Sequence, residues 1–105
     1  MKEVPTVLDA MRDFNETINP IREQRTVSEL YKLTEPPYSG FLLKLTTQTP
    51  TGLWSHLDVP TPRKTYLDIE LTNPSRQTKT ARHDGDDLST NAKDVIEQLR
   101  QQLAG

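Results

Sequence analysis

The chain has two histidines, His56 and His83, and no cysteine. Thiolate nucleophiles, disulfides and cysteine-based zinc sites are therefore excluded. His83 is followed by Asp84, a pair that serves metal-dependent hydrolases when further His and Asp ligands converge on it. Gly85-Asp86-Asp87 comes next and adds two carboxylates. Hard cations such as calcium take oxygen ligands of this kind. The spacing does not fit an EF-hand loop, which needs acidic groups at alternate positions and a closing Glu. Helix entry is the simpler reading, because carboxylates just before an N-terminus suit the helix dipole. No metal ion and no other cofactor is expected.

Side-chain catalysis needs a nucleophile and a base within reach, or paired carboxylates in a cleft. Ser55 and His56 are neighbours in a run that reads as strand, so they point to opposite faces. Asp68 and Glu70 share a strand face, about 7 Å apart by strand rise, and read as surface charges. The four glycines form no phosphate-binding loop after a strand.

Binding chemistry is better represented. Arg63, Lys64, Arg76, Lys79 and Arg82 are the one basic cluster, and Trp54, His56 and Tyr66 fall on one nominal sheet face. Aromatic side chains beside cations can stack bases and meet phosphates. Asp58, Asp68 and Glu70 on that same face would repel them. Tyr38 ends a Pro36-Pro37-Tyr38 run. Such a run occurs in ligands of small aromatic-grooved domains, but a lid on the sheet edge is the plainer reading. These nine residues form the candidate interface.

The charge balance points the same way. The chain of 105 residues has a formal net charge of −2. Residues 1–40 sum to −2, residues 41–82 to +3 and residues 83–105 to −3. A dedicated nucleic-acid binder is usually far more basic. The N-terminus lacks the apolar core of a signal peptide, and no run is long enough to span a membrane. A cytoplasmic or virion-associated protein is expected. Hydrophobic residues make up 32% of the chain, which allows a single domain with a thin core.

The positioning elements follow from periodicity. Val7, Met11, Phe14, Ile18 and Ile21 recur at helical spacing, which predicts a helix over 5–18. A break at Asn19-Pro20 follows, and helix resumes to about Arg25. Thr26-Val27-Ser28-Glu29 fits a capping box and predicts a second helix over 27–33. Two prolines then hold an extended linker. Residues 40–48, 53–59 and 65–72 alternate apolar and polar. They predict a three-stranded antiparallel meander, because its connections are too short for parallel crossovers. Phe41, Leu43, Leu45, Leu57, Leu67, Ile69 and Leu71 are its expected core face. The opposite face, with Trp54 and Tyr66, is expected to be covered by the N-terminal helices. Residues 73–87 read as a polar edge strand or a loop. Ala92, Val95, Ile96, Leu99 and Leu103 predict a C-terminal helix.

The expected fold class is α+β. A small antiparallel sheet of three to four strands (40–72) packs under an N-terminal helical region (1–34) and a C-terminal helix (88–104), with 73–87 between. The expected role is a non-catalytic interaction or assembly protein, working through a protein partner or self-association. Its composition suits a phage or mobile-element accessory protein. A nucleic-acid-binding module is the alternative, and a metal-dependent hydrolase ranks third.

Overall fold

The computed structural model of the chain describes residues 1–21, 25–48, 66–84 and 90–104. The elements run β1 (Lys2–Val4), α1 (Val7–Ile18), β2 (Thr26–Leu33), β3 (Leu42–Gln48), β4 (Tyr66–Thr72), β5 (Thr78–Asp84) and α2 (Thr90–Ala104). The class is α+β, with two helices on one five-stranded sheet among the described residues. The strands lie side by side in chain order, β1 parallel to β2 and every other pair antiparallel.

Helix α1 begins as its sequence requires. Thr6 caps it in extended geometry, its hydroxyl accepting from the Asp9 N–H at 3.2 Å. Val7, Ala10, Met11 and Phe14 form the buried stripe. Asn19 ends the helix, with Pro20 after it, and Ile21 and Arg25 are not helical. The expected resumption beyond the proline is therefore not found at those two residues, and 22–24 lie outside the described residues.

The expected second helix is instead strand β2. Thr26 to Lys32 pair residue by residue with Gln48 to Leu42 of β3. Tyr31 and Leu33 are fully buried, while Leu30 before them is exposed and Lys32 between them is half-buried, which is a period of two. A stretch of eight residues is too short to hold helix on its own, and Thr, Val and Tyr pack well on a pleated surface. The ladder with β3 outweighs one capping box. Strand β1 carries no periodicity that could announce it, being three residues, two of them charged, that pair with Tyr31, Lys32 and Leu33. Parallel pairing needs a crossover of about a dozen residues, and α1 supplies it.

The extended linker expected over 34–40 is a closed turn. Gly40 N–H donates to the Leu33 carbonyl at 2.9 Å, and Tyr38 N–H to the Glu35 carbonyl at 3.0 Å. Gly40 has φ +81°, and a Cβ there would meet the Pro74 ring at 3.2 Å. Both facts favour glycine. Pro36–Pro37 is a cis peptide.

Strand β3 pairs directly with β4, Leu43 beside Leu71 and Leu45 beside Ile69. The meander with residues 53–59 between them is thereby corrected, and that run lies outside the described residues. Residues 73–77 form a turn, and 78–84 form the edge strand that the polar stretch left open as an alternative. Both helices pack on the same face. Their buried residues join Tyr31, Leu43, Leu45, Leu67, Ile69 and Leu71 in one core. The expectation that the N-terminal helix covers the other face is overturned. The apolar stripes of α1 and α2 are narrow enough to share one face, over β1–β2 and β4–β5.

Each helix is tied to a buried tyrosine. Tyr31 Oη donates to Asp13 Oδ2 at 2.7 Å, and Lys2 Nζ meets the same oxygen at 2.9 Å. Tyr38 Oη donates to Glu97 Oε2, which Arg100 also holds. Burial raises both phenols. The Tyr31 hydroxyl and then Lys2 lower the Asp13 carboxyl. Arg100 and then Tyr38 hold the Glu97 carboxyl down, to about 2. Both carboxyls thus titrate lower when folded, so their stabilisation is complete above the ordinary value and is lost as pH falls. For Glu97 that window runs from 4.5 down to about 2. We expect the urea midpoint to fall across it, and Glu97→Gln to lower the midpoint at neutral pH while flattening that slope. Tyr31→Phe should cost about 1 kcal/mol by urea denaturation, because Lys2 still neutralises Asp13.

Candidate functional site

The face of the sheet away from the helices is the surface where most of the described polar chemistry gathers. Strand alternation sets its rows. Ser28, Thr46, Asp68 and Arg82 stand side by side, as do Leu30, Lys44, Glu70 and Thr80, and then Lys32, Leu42, Thr72 and Thr78. Hydrogen bonds knit the rows across strands. Ser28 and Thr46 hydroxyls lie 2.8 Å apart, and those of Thr72 and Thr78 2.9 Å apart.

Tyr66, Asp68 and Arg82 form an ionic cluster on this face, and Lys32 Nζ lies 3.9 Å from a carboxylate oxygen of Glu3 at its β1 side. Arg82 donates through Nε and its terminal nitrogen to the two Asp68 oxygens, at 2.7 and 3.1 Å. Its guanidinium also lies 4.4 Å from the centroid of the Tyr66 ring. A fork on a carboxylate with its plane over an aromatic ring is geometry that lysine cannot reproduce. Beside it is a shallow depression of about 390 Å³, lined by Lys44, Thr46, Glu70 and Thr80 among others. Leu30, 39% exposed, sits diagonally beside Leu42. The face therefore offers a small apolar patch within a ring of hydroxyls and both signs of charge.

Four of the nine candidate residues can be placed near this face or its edge. Tyr66 and Arg82 meet on it. Lys79 is exposed on β5 but belongs to the helix-covered side, opposite Leu71. Arg76 is exposed in the turn before β5 with φ +68°. Tyr38 is elsewhere. It is buried beneath α2, edge-on to Phe41 with centroids 5.8 Å apart, and Arg100 lies over its ring. Trp54, His56, Arg63 and Lys64 lie outside the described residues. Of the hydrolase pair, His83 sits on the covered side of β5 opposite Leu67, and Asp84 ends the strand. Residues 85–87 also lie outside the described residues. No group of three metal-ligating side chains occurs among the described residues.

Ser28, Leu30 and Lys32 are the face residues that sequence reasoning missed. Reading β2 as helix hid them, and the alternation of Val27, Glu29, Tyr31 and Leu33 was the available signal. No family model, curated protein or solved structure matches the chain. No helix among the described residues is long and apolar enough to cross a membrane.

The Arg76 conformation allows a test that separates charge from fold. Left-handed backbone costs a non-glycine residue about 1 kcal/mol, more when β-branched. Thermal melts should rank Arg76→Gly at or above the parent and Arg76→Val below it by about 1 kcal/mol. Equal melts for the two variants would contradict the turn geometry.

Proposed function

We propose that this chain is a non-catalytic interaction module that binds a protein partner through the uncovered side of its sheet. One observation carries the reading. Both helices crowd onto a single sheet face, and no described element covers the other. That face has the anatomy of a protein–protein contact, with Leu30 and Leu42 as an apolar centre among threonines, Lys32, Lys44 and Glu70. The mixed signs suit a protein surface better than a polyanion. A nucleic-acid reading draws on Tyr66 and Arg82, but Asp68 already holds that guanidinium and Glu70 stands beside it. Phosphate would have to displace the first and approach the second.

The test is photo-crosslinking in the cells that make the protein. A benzophenone amino acid replaces Thr46 on the open face or, as a control, Glu16 on the exposed side of α1. Adducts to one protein from position 46 alone are the expected result. Equal adducts from both positions, or adducts to nucleic acid, would overturn the reading.

A further inference from the structure

We infer that the partner of this sheet face is a second copy of the chain, related by a two-fold axis that runs along the strands between β3 and β4. This rests on the reading of the face as a protein-binding surface. Charge on the face is sorted by strand. Strands β2 and β3 contribute Lys32 and Lys44, while β4 contributes Asp68 and Glu70. Arg82 is held by Asp68, and Lys32 lies near Glu3. Lys44 and Glu70 are therefore the central charges. They are register partners, yet no ion pair joins them among the described residues. Both stand on central strands, Lys44 exposed and Glu70 half-buried.

A two-fold axis along the strands turns one sheet over onto the other and exchanges left with right. In a row of four residues, the first then meets the fourth of the copy, and the second meets the third. Leu30, Lys44, Glu70 and Thr80 are such a row. Lys44 meets Glu70 of the second copy, and Glu70 meets its Lys44. Leu30, the 39% exposed leucine, meets Thr80 of the second copy. Thr80 and Glu70 line the depression of about 390 Å³. Leucine and depression thus lie in one row on opposite sides of the axis, and each copy can fill the other, as an isologous contact requires. In the next row Thr46 meets Asp68 and Ser28 meets Arg82, a hydroxyl opposite each charge. In the third, Leu42 meets Thr72 and Lys32 meets Thr78. An axis across the strands would instead lay each strand over its own copy, lysine strand on lysine strand and carboxylate strand on carboxylate strand, and like charges facing each other are costly. The face measures about 20 Å by 20 Å from strand spacing and rise. Roughly 400 Å² per copy is half of the usual 800 Å² per partner, so the dimer forms and dissolves.

Sedimentation equilibrium of the full chain at low salt, up to about 1 mM, reads the association. The parent should dimerise reversibly, more weakly than about 1 μM, as suits so small an interface. Lys44→Glu sets carboxylate against carboxylate at both central contacts, and Glu70→Lys sets ammonium against ammonium. Each variant alone should weaken the dimer by about tenfold. An equimolar mixture of the two restores both attractions and should associate as tightly as the parent. The mixture also controls for folding, because an unfolded variant could not be rescued by its opposite. A parent that stays monomeric at about 1 mM, single variants that dimerise as tightly as the parent, or a mixture no tighter than its components overturns the proposal. Photo-crosslinking from Thr46 separates it from the broader reading. Adducts to a second copy of the chain support it. Adducts to a different protein overturn it and leave the binding-module reading standing, and no adducts at all overturn both.

Discussion

Tyr31 and Tyr38 each carry a hydroxyl into an apolar core, and burying one without a partner would cost about 1–3 kcal/mol. Each finds a carboxylate on a different helix, Asp13 on α1 and Glu97 on α2. A helix lying on a sheet by apolar contact alone can rotate or slide at little cost. The tyrosine–carboxylate contact removes that freedom, because only one rotation brings Asp13 over β2 and only one brings Glu97 over the 34–41 turn. A cation completes each contact, Lys2 in one and Arg100 in the other. With both helices fixed on one side, the other side of the sheet is left uncovered by any described element. The candidate site thus exists because of where two phenols are satisfied.

Much of the frame could be read from the chain. Val7 to Ile18 and Ala92 to Leu103 repeat at helical spacing, and Leu43, Leu45, Leu67, Ile69 and Leu71 alternate. Hydrophobic period is a strong signal when the buried stripe is complete. Strand β2 failed because Val27, Leu30, Tyr31 and Leu33 satisfy a helical stripe nearly as well as an alternation, and a capping box tipped the choice. Pairing with β3 decided it, and pairing is not local. Strands β1 and β5 failed or stayed open for another reason. Neither carries a run of apolar residues, so only their neighbours make them strands. The site was legible as residue types and not as an arrangement. Tyr66, Asp68 and Arg82 are scattered in sequence, and only the β4–β5 register brings them together. Tyr38 was noticed for its prolines, and its partner fifty-nine residues away could not be inferred.

The open face is polar without being inert. Ser28, Thr46, Thr72, Thr78 and Thr80 keep it soluble, and their β-branched or small side chains lie flat enough for another surface to approach. Arg82 is held by Asp68 and stacked on Tyr66, so little side-chain entropy is left to lose when that surface arrives. The apolar centre at Leu30 and Leu42 is small, which suits contact that forms and dissolves.

The strand order has a consequence for how the molecule assembles. Eight residues separate β2 from β3, and five separate β4 from β5, while seventeen separate β3 from β4. Closing a short loop loses less chain entropy than closing a long one, so two hairpins can form before they meet. Each brings its own helix, α1 beside β2 and α2 beside β5. The seam between the two hairpins is β3 against β4, where Leu43 meets Leu71 and Leu45 meets Ile69. Tyr38 belongs to the first half and Glu97 to the second, and Gly40 of the first half leaves room for the Pro74 ring of the second, which a Cβ there would crowd. Both features cross that seam. They make the two halves one cooperative unit, in which neither hairpin can open without straining the other.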